Sequence, residues 1–292
     1  MNKLYKNIFL LSLVTILTEA RNFKIFVDDK GIDSNFPFEI NENLIFEIGY
    51  YGNKNSEIRN FEKTSREGKK GSKIDENNLF ASIKYNVTKI GDSNLFVGVE
   101  YESFKRETEQ IGYYTEKSSQ LAYNNFVKFN GKKINLLLET VYGDSSDTLK
   151  AFARATITPK TKLDIEQDTK IFPNITTGGD FSGDTTLDLS YKIEGEIKWD
   201  TGDYFDIGIG GSYAFIPYEY NYKGFNVKRD GYIEKHQKYD EETIEYFTKI
   251  RIKKFFSEDI LPTIGYKWLE IKNSKDNNIK RDFVFVGIEK WF

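Results

Sequence analysis

Between Leu187 and Trp199 the chain alternates without interruption. Leu187, Leu189, Tyr191, Ile193, Gly195, Ile197 and Trp199 share one parity, and Asp188, Ser190, Lys192, Glu194, Glu196 and Lys198 share the other. Successive side chains of an extended strand point to opposite faces, so this segment has one apolar and one charged face. Wound as a helix, the same charges would spread around the whole circumference. The pattern recurs. Leu163, Ile165, Thr169 and Ile171 oppose Lys162, Asp164, Glu166, Asp168 and Lys170. Leu149, Ala151, Ala153, Ala155 and Ile157 oppose Lys150 and Arg154, and Ile244, Tyr246, Ile250 and Ile252 oppose Glu245, Lys249, Arg251 and Lys253.

Extending this reading along the 292 residues gives strands at 42–51, 78–88, 93–105, 119–129, 134–143, 147–157, 162–172, 185–199, 204–216, 241–253, 259–271 and 281–292. They are long for a soluble sheet, whose strands usually run to five or six residues, and suit a membrane strand of about ten. Asn130-Gly131 and Thr201-Gly202-Asp203 carry hairpin chemistry. Short connections alternate with long ones at 52–77, 106–118, 173–184, 217–240 and 272–280, and 143–146 is short where a long one is due. Tyr50, Tyr51, Phe104, Tyr142, Trp199, Phe215, Trp268 and Trp291 fall near strand ends, where the two membrane interfaces would lie. A soluble sandwich gives no reason for that alternation. The expected fold is all-β: a transmembrane antiparallel up-and-down β-barrel of about 12 strands.

The two ends fit this fold. Lys3 and Lys6 precede the uncharged run Ile8–Leu17, and Thr18-Glu19-Ala20 offers a cleavage site. Residues 1–20 are therefore expected to be a signal peptide, since ten apolar residues are too few to cross about 30 Å of hydrocarbon. The last strand, Arg281–Phe292, places Val284, Val286, Ile288 and Phe292 on one face, with Lys290 breaking the series. In this the chain resembles Gram-negative outer-membrane proteins, whose final strand ends on Phe behind apolar residues at every second position. The resemblance implies that Val284, Val286, Ile288 and Phe292 form an assembly signal read by the barrel assembly machinery, and that both termini face the periplasm. It covers residues 42–292 as barrel and leaves 21–41 as an N-terminal periplasmic or lumenal segment.

Composition excludes several alternatives. Aromatic residues make up 16% of the chain, which argues against disorder, and there is no cysteine for disulfides, thiolate metal sites or a lipid anchor. A formal charge of −3 gives no reason to expect nucleic acid as a partner. Motifs with chemistry are weak. His236, the only histidine, reads as a solvated loop residue, with a rim catalytic dyad as a remote alternative. Gly91-Asp92-Ser93 and Gly143-Asp144-Ser145 read as turns. Gly178–Asp184 reads as a loop. No enzymatic activity, cofactor or metal is expected.

The charged face is the informative one. A Lys or Arg at mid-bilayer costs about 2–4 kcal/mol, so charges must face the lumen. Lys150, Arg154, Asp164, Glu166, Asp168, Lys192, Glu194, Glu196, Glu245, Lys249, Arg251 and Lys253 are the expected lining, joined by Lys84, Lys162, Lys170, Lys198, Lys267, Glu47, Glu100, Glu102, Glu139, Asp188, Asp206 and Glu289. A basic ladder (Lys249, Arg251, Lys253) opposed to an acidic one (Asp164, Glu166, Asp168) would set a transverse field. The expectation is a porin-like outer-membrane channel passing small hydrophilic solutes by diffusion through a narrow water path. Outer-membrane lipid, lipopolysaccharide and small polar solutes are its expected partners. The alternative is a closed barrel anchoring a surface-exposed binding protein.

Overall fold

A computed structural model describes residues 23–28, 31–58, 71–91, 93–116, 119–143, 146, 148–172, 177–226, 231–255, 260–273 and 278–290. Residues 1–20, expected as a signal peptide, and the terminal Phe292 lie outside them. The chain forms β1 (Phe23–Val27), β2 (Gly31–Asn41), β3 (Leu44–Ile58), β4 (Gly71–Ile90), β5 (Ser93–Glu116), β6 (Ser119–Gly143), β7 (Leu149–Thr158), β8 (Thr161–Phe172), β9 (Thr177–Leu187), β10 (Ser190–Asp200), β11 (Phe205–Asn226), β12 (Gly231–Ile252), β13 (Leu261–Asn273) and β14 (Asn278–Lys290). These segments make one antiparallel sheet, closed by β1 on β14 with Ile25 opposite Ile288. Closure leaves no sheet edge at that seam, the condition for a sheet to cross hydrocarbon.

Fourteen segments build twelve wall strands, because β7–β8 and β9–β10 are each one strand in two pieces. The lower half of β6 pairs with β7 and its upper half with β8. Likewise β11 pairs with β10 below and with β9 above. At Pro159-Lys160 and at Asp188-Leu189 each composite strand carries one extra residue against its neighbour: Leu136 faces Ile157 but Gly131 faces Leu163, and Phe215 faces Tyr191 but Tyr218 faces Leu187. Pro159 lacks the amide that would continue the ladder, which accounts for the first bulge; at the second, Asp188 N donates across to Pro217 O at 3.0 Å. A one-residue shift moves every later side chain to the other face. In β7 Arg154 and Thr158 point inward, whereas in β8 Leu163 and Ile165 are buried inside and Asp164 and Glu166 lie on the outer surface.

Several expectations change as a result. Residues 21–41 are not a separate segment: Phe23–Asn41 supplies β1 and β2, so the barrel begins at Phe23 rather than at 42. The final strand closes on Phe23–Val27 rather than on 42–51, the strand expected to come first. Asn130-Gly131 makes no hairpin, since β6 runs through it. A Cβ at Gly131 would come 1.9 Å from Leu163 Cδ2, so glycine is required there for close approach. Two unforeseen strands at the start and two over-divided ones cancel, which is how the count of twelve survived.

The corrected register also removes the anomaly at 143–146. Connections 42–43, 91–92, 144–148, 201–204 and 253–260 now all lie at one end, the periplasmic end by the bacterial rule. Gly91 and Gly202 take positive φ there, of 60° and 120°. Most of the residues expected as long outer loops are strand: β5 and β6 run 24 and 25 residues, and β11 and β12 22 each. His236 stands on the outer face of β12, and Gly178–Asp184 lies within β9.

Outward apolar side chains define a belt. On β10 it runs from Leu189 to Trp199, and Ile193 and Ile197 are 56% and 55% exposed. On other strands it includes Ile83, Val99, Leu136, Ile157, Ile209, Ile250, Val284 and Val286, all exposed. Eleven residues of a tilted strand match the hydrocarbon thickness. Above this belt the outer face is charged, with Lys132, Lys162, Glu166, Lys238 and Asp282 exposed. The wall therefore stands in water beyond the outer leaflet over β4–β12.

Candidate functional site: the ion-paired lumen

Below the bulges the inner face collects the charges that lipid excludes. Arg154, on β7, donates from Nη2 to Glu47 of β3, four wall strands away, at 2.8 Å, and from Nε to Glu139 of β6 at 3.1 Å. Its Nη1 lies 3.7 Å from Glu194 of β10. Lys84 of β4 sits between the same two carboxylates, 2.9 Å from Glu47 and 3.0 Å from Glu139. Ser82 and Asn35 also donate to Glu47.

A second cluster continues from β10. Glu196 accepts from Arg251 and lies 2.8 Å from Lys249, both on β12. Glu289 of β14 lies 3.0 Å from Lys249 and 2.5 Å from Arg251 Nε, and accepts from Thr263 at 2.9 Å. Gly208 on the facing strand makes room: a Cβ there would fall 2.5 Å from Glu196 Oε1 and 2.8 Å from Arg251 Nη1. Because Glu194 and Glu196 share β10, the two clusters form one belt of ion pairs spanning the lumen from β3 to β14.

This belt has little contact with solvent. Arg251 is 0% exposed, Glu47 1% and Glu289 2%. A buried ion survives only with its partners in place, because stripping its hydration costs several kcal/mol. Here the partners are mutual, and the second cluster sums to zero charge. Next to these buried groups, Lys192 and Glu194 on the same inner face keep 45% and 26% of their side chains exposed, so the ion pairs cross the lumen beside residues that meet solvent.

Beneath the belt, at the periplasmic mouth, Lys198 lies 3.3 Å from Asp206, and Lys253 lies 2.8 Å from Asp206 and 2.6 Å from Asp200. Burial pulls the pKa of Lys253 down, but hydrogen bonds to Asp200 and Asp206 outweigh it and leave the pKa raised. Lys253 follows β12 rather than lying on it, in a recess shared with Lys254, Asp203 and Leu261.

Above the belt the lumen is tied once more. Arg106 of β5 lies 3.3 Å from Glu76 of β4 and 3.8 Å from Glu241 of β12, five wall strands away. Lys267 meets Glu245 at 3.2 Å, and Lys133 meets Glu102 at 3.1 Å.

Of the expected lining, Lys150, Arg154, Lys192, Glu194, Glu196, Glu245, Lys249 and Arg251 point inward. Lys162, Asp164, Glu166 and Asp168 do not: the bulge turns them to the outer face above the lipid, where Lys128 lies 3.8 Å from Glu166, and the side chain of Lys170 lies outside the described residues. The opposed ladders and their transverse field are therefore absent. Lys24 and Asp33, 3.1 Å apart, went unforeseen because β1 and β2 did. Arg106, Glu76 and Glu241 went unforeseen because they lie where both wall faces meet water and the alternation fades. His236 lies outside the lumen, its Nε2 2.9 Å from Glu219 and its Nδ1 hydrogen-bonded to Asn221. Val284, Val286 and Ile288 face outward on β14.

No protein-family model matches the chain, and no curated protein matches its sequence. Solved structures share its fold. The Ralstonia pickettii toluene transporter TbuX superposes with a TM-score of 0.50 at 9% identity, covering 94% of this chain and 90% of its own. The CymD monoaromatic hydrocarbon channel gives 0.45 at 9%, covering 93% and 87%. A Pseudomonas aeruginosa FadL homologue gives 0.42 at 9%, covering 92% and 86%. At such identity the likeness concerns architecture alone. With the apolar belt and the charged interior, the TbuX likeness makes the chain a closed twelve-stranded antiparallel β-barrel of the transmembrane kind.

Proposed function

We propose that the chain is an outer-membrane channel for small hydrophilic solutes, held shut at rest by the ion-pair belt and conducting when the belt loosens. The observation that carries this reading is the choice of charges inside the barrel. Replacing a buried ion pair with packed apolar groups is often neutral or stabilising, so stability alone does not require Arg154, Lys84, Glu47 and Glu139 there. Charged side chains in mutual contact, once separated, leave a polar path that admits water. Charges occur at the periplasmic mouth, in the belt and at Arg106, so such a path has polar groups at each level. No covalent step is involved.

Outer-leaflet lipid meets the apolar belt. Lys105, Lys132, Lys160 and Lys162 stand just above it on the outer face, where lipopolysaccharide phosphates lie. The terminal strand serves the barrel assembly machinery.

Planar-bilayer recording tests the channel. Wild type should conduct rarely and weakly. Arg154→Ala removes the group that joins β3, β6 and β10, and should raise the open fraction several-fold. Silence in both proteins would overturn the channel. It would favour a closed barrel that anchors a surface-binding protein, a reading to which the tall water-exposed wall of β4–β12 lends itself.

A further inference from the structure

Above the lipid belt the inner wall changes character. Tyr218 and Tyr220 on β11 and Tyr239 on β12 point inward and stack: Tyr239 lies 5.4 Å from Tyr218 and 4.9 Å from Tyr220, with planes 20° and 12° apart. Their tips are organised. The Tyr220 and Tyr239 hydroxyls are 2.5 Å apart, and both donate to Gln237 Oε1. On β8 of the same inner wall Gln167 donates to Asn125 at 2.8 Å. Next to Tyr220 in the ladder stands Thr185, 1% exposed, whose Oγ1 has no hydrogen-bond partner among the described residues.

This wall sits beyond the bilayer. Its outer side carries His236, Lys238, Glu219 and Asp184, which need water. Its floor is the Glu76–Arg106–Glu241 tie, and Glu241 is two residues from Tyr239 on the same face.

We infer that the stacked tyrosines above this tie form a binding site for a neutral saccharide, at the outer entrance of the lumen. The stack offers a rigid apolar face to the C–H side of a sugar ring, at little entropic cost because its tips are already tied. Amides, phenols and the Arg106–Glu241 pair offer donors and acceptors to ring hydroxyls. An anion is disfavoured because Arg106 already holds two carboxylates. The tie as a whole carries one formal negative charge beneath aromatic faces, so a small cation is the competing ligand that the test has to exclude. As the entry site of a channel the assignment rests on the proposed function, but binding does not.

The test is therefore an equilibrium one. The full chain, folded in zwitterionic micelles free of sugar headgroups, is titrated calorimetrically with maltotriose. Wild type should bind. Tyr239→Ala should weaken binding by about tenfold or more, whereas Tyr239→Phe, which keeps the face, should stay within about threefold. Lys254→Ala, at the opposite mouth, should bind as wild type. Heat-shifted gel mobility reports whether each variant is folded. No binding by wild type, or equal affinity in a folded Tyr239→Ala, would overturn the site. Binding of tetramethylammonium but not of maltotriose would overturn the saccharide assignment. Conductance plays no part, so this site and the channel can fail separately.

Discussion

Without its guanidinium, Arg251 would leave Glu196 and Glu289 with Lys249 as their remaining lysine or arginine partner in the second cluster. None of these groups can turn to water, since Arg251, Glu196 and Glu289 are 0%, 7% and 2% exposed. Breaking a buried pair from one side costs about 3–5 kcal/mol, mostly the desolvation of the charge left behind. Arg251→Ala should lower urea stability in lipid vesicles by about that amount, and adding Glu196→Gln should restore part of it by deleting the orphaned charge. A loss below about 1 kcal/mol would mean that water enters the belt freely. At this scale the sequence was a fair guide. The even parity of β10 places Glu194 and Glu196 inward on sight, but their partners, Arg154 on β7 and Lys249 and Arg251 on β12, are remote in sequence, and only closure of the barrel names them.

Facing is a property of elements, and here it depends on two bulges. Ile193, below its bulge, faces lipid; Asp164, above the other, faces water. Ile193→Arg should cost about 2–4 kcal/mol of refolding stability, while Glu194→Gln should cost much less. The chain has no cysteine, so single-cysteine variants label cleanly. Asp164→Cys should react on whole cells with a membrane-impermeant maleimide, and Ile193→Cys should not. Protection of Asp164→Cys would return the acidic ladder to the lumen. The alternation over 162–172 was as regular as that over 187–199, yet its inside and outside were reversed. Period two says that a strand has two faces, not which one meets lipid. Where both faces leave the membrane, apolar residues go inward, as Leu163 and Ile165 do, and charges go outward. The same physics hid the upper halves of β5, β11 and β12, whose polar outer faces read as loop.

The whole molecule depends on a short seam. β1 holds five residues and closes the cylinder through five register pairs with β14. Deleting Phe23–Val27 should abolish heat-shifted mobility in outer-membrane fractions, because it exposes the edges of β2 and β14 to hydrocarbon, where unpaired backbone groups cost several kcal/mol each. Normal assembly would mean that β2 can close on β14 by itself. By itself, the sequence determined that this chain makes long amphipathic strands, that their charged faces must be hidden from lipid, and that closure into a barrel is the outcome; these follow from period two and the price of ions in hydrocarbon. Tertiary structure decided which residues begin the barrel, where the register slips, that ion pairs cross the lumen, and that the wall rises beyond the bilayer with tyrosines inside it. Those depend on cross-strand registry and on contacts across the lumen, such as Arg154 with Glu47, which only the closed cylinder brings together.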